Sequence, residues 1–243
     1  MGEQAQSKMN IERLRKMRDE VDIAELPIPE KEIIERYEKL YTGCVNDVMR
    51  EACLTNQALP SEIMPLRDEM VLAGFAFTIR SAADPTVGGE LELRVKMLQE
   101  LGPNMVCVWN ANGIDHASHW GGVMTKMSRS RGVRGAIIDG GIRDTGDILS
   151  QKFPIWCRYR TSNGSLSRAK MTGYQVPIVV GGVIIKPGDL IFADIDGAIV
   201  VPRKLIIPVL ERAEAIERNE LEFKDWIEAG LTPMEVHEQG GYF

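Results

Sequence analysis

The stretch GGVMTKMSRSRGVRGAIIDGGIRDTGD, from Gly121 to Asp147, decides the fold of this chain. A glycine pair opens a segment with helical character, an apolar run follows at Gly135–Gly140, and a second glycine pair leads into Arg143 and Asp144. The order is loop, helix, strand, loop, which in a βαβ-like unit can bring both loops to one edge of a sheet. We therefore expect the amides of Gly121 to Met124 to face Arg143 and Asp144.

Composition and charge narrow the class of protein. The 243 residues, with 44% hydrophobic and 26% charged side chains, are ordinary for one large or two small globular domains. A net charge of −6 without a basic cluster argues against a nucleic-acid partner. No apolar run approaches the roughly 20 residues that span a bilayer, and the start, MGEQAQSKMN, lacks the apolar region of a signal peptide. We expect a cytoplasmic protein without a membrane partner.

The cysteines and histidines do not form a recognisable metal motif. The four cysteines are scattered in apolar contexts, which predicts buried, reduced thiols rather than disulfides or a zinc site. His116 and His119 lie in the polar loop 112–120 as H-x-x-H, which is not the zinc signature H-E-x-x-H. A supporting or substrate-lid role is favoured over direct metal ligation for both histidines.

Outward from the centre, residues 1–40 are predicted to form an N-terminal helical arm. Ile11, Leu14 and Met17 recur at helical spacing, prolines then break the chain, and a second helix begins after Pro29. The arm either packs on the main body or a neighbouring subunit, or forms a solvated helical hairpin. Residues 41–243 are predicted to form a single α/β domain.

Helices and apolar strands alternate through this domain, and short strands then follow one another. The further predicted helices are Thr42–Leu54, residues 89–102, and Lys204–Glu228; the further strands are Met70–Ser81, Asn104–Ala111, Pro154–Arg160 and three after Gln175. Asp47, near the start of the first of these helices, is interpreted as its cap in preference to a site residue. The polar stretch Thr161–Lys170 is predicted to be an exposed loop.

The central stretch has a chemical interpretation if its two ends meet. Amides at a helix start favour an anion, and Arg143 offers a planar fork that matches a carboxylate. Asp144 offers the hard oxygen that Mg²⁺ or Mn²⁺ prefers. Together they suit a 2-oxo acid whose enolate is stabilised while a C–C bond breaks. The plainer alternative is that Arg143 and Asp144 form a surface ion pair or a helix cap.

The same residues carry a family resemblance. Gly122, twenty intervening residues, Arg143-Asp144 and then Asp147 resemble the signature of the class II pyruvate aldolases. These are the 4-hydroxy-4-methyl-2-oxoglutarate and 4-carboxy-4-hydroxy-2-oxoadipate aldolases, grouped with regulator of ribonuclease activity A. The segments VNDVM, LAGFAFTIR, RGVRGAIIDGGIRD and ADIDGAIVVP extend the resemblance over about residues 40–203.

The resemblance implies a fold and an assembly. The fold is an α/β, αββα sandwich that resembles a phosphohistidine swivelling domain, here with the N-terminal helical arm and a C-terminal helix. It assembles as homotrimers or hexamers with the site at a subunit interface. An acid from a neighbouring subunit is therefore expected, with Asp194 and Asp196 as candidates.

The resemblance also implies roles for individual residues. The substrate-binding amides would be those of Gly121, Gly122, Val123 and Met124. Arg143 would bind the substrate carboxylate and the enolate oxygen, and Asp144 would ligate Mg²⁺ or Mn²⁺. Asp147 would lie behind Asp144 or cap the next helix.

The implied activity is a metal-dependent lyase acting on a 2-oxo acid, by retro-aldol cleavage or by oxaloacetate decarboxylation. Many members carry an acid where this chain has Val123, so the substrate can differ from those of the named aldolases. The alternative function is a non-catalytic regulator that binds a ribonuclease. The presence of Asp144 favours the enzyme.

Overall fold

The computed structural model describes residues 25–88 and 90–240, so the predicted helix around Leu14 lies outside the described residues. No helix in these ranges is long and apolar enough to cross a membrane. The helices are α1 (Glu30–Tyr37), α2 (Thr42–Glu51), α3 (Leu91–Glu100), α4 (Gly122–Ser130), α5 (Thr145–Ser150), α6 (Ile206–Glu228) and α7 (Pro233–Glu238), with a 3₁₀ turn at Arg203–Leu205.

The strands form one large sheet and a separate hairpin. They are β1 (Met64–Pro65), β2 (Leu72–Ala83), β3 (Met105–Asn110), β4 (Ser118–Trp120), β5 (Gly135–Ile142), β6 (Ile155–Arg160), β7 (Ala169–Tyr174), β8 (Ile178–Val180), β9 (Val183–Ile185), β10 (Leu190–Asp194) and β11 (Gly197–Val201). The sheet order is β1-β6-β5-β3-β2-β10-β11, with β4 paired to β5 and β7 to β2, while β8 and β9 form the hairpin.

The centre of the sheet is parallel and buried. Strands β2, β3, β5 and β6 run parallel, whereas β7, β10 and β11 pair antiparallel. Parallel strands covered on both faces require nearly continuous apolar sequence, which is why MVCVWN and GAIIDGGI form β3 and β5. The predicted α/β fold with a helix near each end is confirmed.

Three large apolar clusters among the described residues lie around the sheet. Helices α3, α4 and α5 cover one part of a face, and α1, α2 and α6 cover another part. The β8–β9 hairpin packs over the opposite face. The indole of Trp156 on β6 donates to the carbonyl of Asp194 on β10 at 2.9 Å, so the sheet curls towards closure.

The described part of the predicted arm packs on the main body. Ile33, Ile34 and Tyr37 on α1 are fully buried among residues of α2 and α6. Tyr37 donates to the carbonyl of Ile206 at 2.8 Å, and Arg36 makes two 2.7 Å bonds to the carboxylate of Glu214.

Some local expectations differ from the structure. Asp47 does not cap α2, because it lies in the second turn, half-exposed, and pairs with Arg50 at 3.0 Å. Cys53 is exposed, whereas the other three cysteines are buried as predicted. Four strands, rather than three, follow Gln175, because the glycine pair at 181–182 closes a separate hairpin.

Candidate functional site

The two ends of the central stretch meet. Strand β4 runs parallel to β5, with Trp120 opposite Ile142, so the residues that follow both strands emerge at one edge of the sheet. The amide of Arg143 donates to the carbonyl of Trp120 at 3.0 Å. The amide of Gly122 donates to Oδ2 of Asp144 at 3.1 Å.

Gly121 and Gly122 lie so close to the side chains of residues 143–147 that neither position has room for a Cβ atom. A Cβ atom on Gly121 would lie 2.6 Å from Oδ2 of Asp144 and 3.3 Å from Cγ of Arg143. A Cβ atom on Gly122 would overlap the carboxylate of Asp147. The backbone of Gly121 is extended, with φ of −164°, so contact with the second loop, rather than backbone conformation, demands glycine.

The N-terminus of α4 presents amides to this edge. Gly122 opens the helix, and the first amides of a helix have no partner within it. Asp144 takes the amide of Gly122, which leaves those of Val123 and Met124 directed out of the helix start. The Val123 side chain is 83% exposed, whereas Met124 packs into the core. The geometry suits an anion, favoured by the helix dipole.

Asp144 has a left-handed backbone conformation, and its side chain connects the start of α5 to the start of α4. It precedes α5 with φ of 56° and ψ of 35°, a left-handed conformation that costs free energy for residues other than glycine. Its side chain does not cap α5 but reaches across to α4. Oδ2 lies 3.7 Å from Nε of Arg143, and both side chains are about half-exposed. Such strain at a reachable carboxylate is typical of functional positions.

A polar cleft opens beside Asp144. Its lining is Arg143, Asp144, Thr145, Arg160, Thr161 and Ser162. The guanidinium of Arg143 packs on Gly164, where a Cβ atom would lie 2.9 Å from Nη1. Sequence reasoning placed Arg160 in a strand and the next two residues in a loop, without a site role. The signal was the carboxyl end of the strand beside β5, where ligands bind in such sheets.

A divalent cation fits this cleft through one protein carboxylate. Asp144 is half-exposed, and among the described residues only its Oδ2 accepts a hydrogen bond. Within the described residues no three His, Cys, Asp or Glu side chains converge on a common point. One hard oxygen suits Mg²⁺ or Mn²⁺, which keep several waters, and does not suit a structural zinc site.

The two histidines do not act together. His116 is exposed and lies 3.1 Å from the carboxylate of Asp115. His119 is buried, tilted against Trp109 at a ring distance of 6.1 Å, and neither ring nitrogen has a hydrogen-bond partner among the described residues. Burial, aided by the charge of Arg94, lowers the pKa of His119 to about 4, so this ring is neutral.

The structure distinguishes Asp194 from Asp196, the two candidate acids for a neighbouring subunit. Asp194 is buried and accepts from the amide of Thr42 at 2.7 Å, from its hydroxyl at 2.8 Å, and from the amide of Asp196 at 2.9 Å. Its role is to cap α2. Asp196 is exposed in the turn between β10 and β11.

Comparisons with known proteins show the family of the chain. The model of the RraA-like family, described as aldolase/RraA, matches residues 42–200. The chain belongs to the RraA-like family. The matched segment contains every residue of the cleft and the whole of α4.

Curated relatives in the family differ in length. A Halalkalibacterium halodurans protein, provisionally named a 4-hydroxy-4-methyl-2-oxoglutarate aldolase, is 32% identical over 218 residues, covering 84% of this chain and 98% of the relative. Protein DlpA of Legionella pneumophila is 28% identical over 192 residues. The match covers 79% of this chain, but the chain spans only 31% of the length of DlpA.

Solved structures share the fold over most of the chain. One, described as a novel cellulase from gut-associated microbes, superimposes with a TM-score of 0.87 at 48% identity and covers 90% of this chain and 99% of its own. RraAS2 of Streptomyces coelicolor, described as an unusual member of the RNase ES inhibitor RraA family, has a TM-score of 0.73 at 27% identity. That match covers 83% of this chain and 99% of RraAS2.

Proposed function

We propose that the protein is a divalent-metal-dependent lyase that cleaves a C–C bond of a 2-oxo acid through a pyruvate enolate. The observation that carries the proposal is the contact between the amide end of α4 and the pair Arg143 and Asp144. The reaction is retro-aldol cleavage of a 4-hydroxy-2-oxo acid, decarboxylation of oxaloacetate, or both. The name of the Halalkalibacterium halodurans relative supports the first.

Arg143, Asp144 and the first amides of α4 have separate tasks in this reaction. The substrate carboxylate binds at the amides of Val123 and Met124 and at the guanidinium of Arg143, since amides and a planar fork both suit an anion. Arg143 also faces the keto oxygen, where negative charge develops. A Mg²⁺ or Mn²⁺ ion held by Asp144 would add positive charge near the same oxygen.

The electron balance is the same for both substrates. The electron pair of the bond between C3 and C4 moves onto C3 and the keto oxygen, giving the enolate of pyruvate. In the aldol case the 4-hydroxyl loses its proton and becomes a carbonyl; in the decarboxylation C4 leaves as carbon dioxide. A proton added at C3 then gives pyruvate. The cleft lining contains no histidine or lysine, so the proton exchanges with water or with an acid of a second subunit.

The first prediction tests whether pyruvate release requires both a divalent metal ion and the carboxylate of Asp144. With Mg²⁺ or Mn²⁺ the protein should release pyruvate from oxaloacetate or 4-hydroxy-4-methyl-2-oxoglutarate, and EDTA should abolish release, as measured with lactate dehydrogenase and NADH. Asp144→Asn, which keeps the shape but removes the charge, should lose activity and metal dependence together. Arg143→Ala should lose at least about a hundredfold in turnover, the size expected for one oxyanion partner.

A carboxylate outside the cleft provides the control. Asp115→Asn removes an exposed carboxylate beside His116 and should leave turnover unchanged. Wild-type rates in EDTA, together with full activity in the Asp144 and Arg143 variants, would refute the lyase. A monodisperse monomer in light scattering would argue separately against the proposed homotrimer or hexamer.

The second candidate function is a regulator that binds a ribonuclease. It is favoured by the likeness to RraAS2 and by an apolar surface on α4, where Val123 and Met127 lie one turn apart, 83% and 44% exposed. Stoichiometric binding and inhibition of a ribonuclease of the RNase E type, unchanged in Asp144→Asn and without pyruvate release from any 2-oxo acid, would favour this function.

A glycosidase is less compatible with the cleft. Glycoside hydrolases place two carboxyl groups roughly 5 to 9.5 Å apart on either side of the scissile bond. The cleft lining supplies Asp144 as its one carboxylate and contains no aromatic side chain. The cleft therefore does not support glycoside hydrolysis.

A further inference from the structure

Arg160 stands beside Arg143 at the same edge of the sheet. Strands β5 and β6 are parallel neighbours, and Ile142 on β5 pairs with Arg160 on β6. Adjacent strands lie about 5 Å apart, so Arg143 and Arg160 leave them side by side. Both line the cleft that contains Asp144.

Arg160 has no partner of its own within the described residues. Its side chain is exposed and makes neither an ion pair nor a hydrogen bond in that part of the chain. Arg158, two residues earlier on the same strand, donates to Asp139 at 2.5 Å and lies 3.4 Å from Glu62. The fold therefore supplies carboxylates for one arginine of this strand and leaves the other directed to the cleft.

The whole cleft is rich in donors and poor in apolar surface. Its six lining residues are all polar or charged, and two guanidinium groups face one carboxylate. The hydroxyl oxygen of Thr161 accepts the amide of Asn163 at 3.2 Å, so its hydrogen remains available to a ligand. An apolar substrate tail would find no apolar surface in this cleft. A second anionic group would accept hydrogen bonds from the charged guanidinium and from neutral hydroxyl groups.

We propose that Arg160 binds a second carboxylate of the substrate and thereby determines specificity for 2-oxo diacids over 2-oxo monoacids. This inference rests on the proposed lyase function of the same cleft. The carboxylate next to the keto group lies at α4 and Arg143, and the distal carboxylate lies at Arg160 with the hydroxyls of Thr161 and Ser162. One planar guanidinium matches one carboxylate bidentately, which is why a carboxylate is assigned.

Binding of non-cleavable analogues tests the inference directly. 2-Oxoglutarate and 2-oxopentanoate have the same carbon chain, but the second carries a methyl group in place of the distal carboxylate. In calorimetric titrations with Mg²⁺, the wild type should bind the diacid at least about tenfold more tightly, the size of one charge-assisted hydrogen bond. Arg160→Gln should remove this preference, whereas Arg160→Lys, which keeps the charge but not the planar fork, should retain only part of it.

The matched control is Arg129→Gln, which removes an equal charge from an exposed position on α4 outside the cleft lining. It should leave the preference unchanged. Equal binding of the two acids by the wild type, or an unchanged preference in Arg160→Gln, would overturn the inference. A preference that Arg160→Gln removes, in a protein that releases no pyruvate from any 2-oxo acid, would support the carboxylate site and refute the lyase.

Discussion

Near the site, His119 is a polar side chain that is buried without a hydrogen-bond partner among the described residues. It is 3% exposed, two residues before Gly121, and packs against Gly140, where a Cβ atom would lie 3.1 Å from Nδ1. The ring nitrogens have no hydrogen-bond partner among the described residues, and protonation would place a charge near Arg94. The folded state is therefore most stable while the imidazole of His119 is uncharged.

The pKa of His119 gives a prediction for stability against pH. Burial lowers its pKa to about 4 in the folded chain, against about 6.5 when unfolded. Between these values the unfolded chain holds a proton that the folded chain does not, so lowering the pH favours unfolding. The stabilisation is fully present above pH 6.5 and falls by about 3 kcal/mol as the pH approaches 4.

Urea denaturation of the wild type and His119→Leu at several pH values isolates this effect. Leucine cannot be protonated, so the free energy of unfolding of the variant should rise relative to that of the wild type as the pH falls from 7 to 4.5. Carboxylates that titrate in the same range contribute equally to both proteins. Parallel pH curves would contradict the assignment.

The residues of the site differ in how far the sequence could reveal them. One continuous segment contains Gly122, Arg143, Asp144 and Asp147 at a recognisable spacing. The sequence reveals them because their contacts are made within that segment. Arg160 has no motif, because it becomes a cleft residue only through the register of β6 on β5. The sequence alone does not distinguish His119 from His116. In the structure, His119 lies on β4 and is buried, whereas His116 precedes the strand and is exposed.

At the scale of the elements, α2 is held by a strand turn rather than by its own sequence. The residue before the helix is Tyr41, which provides no side-chain cap. Asp194, at the end of β10, instead accepts both the amide and the hydroxyl of Thr42. This contact ties α2 to the β10–β11 hairpin across 152 residues of sequence, and no pattern near Asp47 could have indicated it.

Replacing Asp194 should therefore destabilise the fold. Asp194→Ala leaves the buried amide and hydroxyl of Thr42 without their acceptor, a loss of about 2–3 kcal/mol in the free energy of unfolding. Asp47→Ala on the same helix removes only a half-exposed ion pair and should cost less than about 0.5 kcal/mol. Denaturant titrations of both variants measure the contrast, and equal losses would show that Asp194 is not the cap.

The elements themselves were predictable where local sequence and tertiary position agree. Strands β3 and β5 are continuous apolar runs, and α6 is a long amphipathic segment, so local pattern sufficed. Strands β4 and β7 were not predicted as such. Three-residue β4 lies within a polar loop, and β7 is polar on one side, so each exists because a longer strand offers it a partner.

At the scale of the whole molecule, the cleft has one carboxylate and few groups that move protons. The cleft lining has Asp144 as its one acid. Asp196 lies exposed in the β10–β11 turn, while neighbouring Asp194 is committed to α2. If the proposed trimer or hexamer completes the site, Asp196 of one subunit meets Asp144 of another.

Mixing inactive variants tests this shared site. Asp144→Asn and Asp196→Asn homo-oligomers should each be inactive, although the second should keep its fold because Asp196 is exposed. After dissociation and reassembly of an equal mixture, about a quarter of the interface sites would combine two intact acids, and pyruvate release should recover accordingly. Full activity of Asp196→Asn alone would remove this residue from the site. An inactive Asp196→Asn variant that gains nothing on mixing would place both acids in the same subunit, and the site would then not depend on the oligomer.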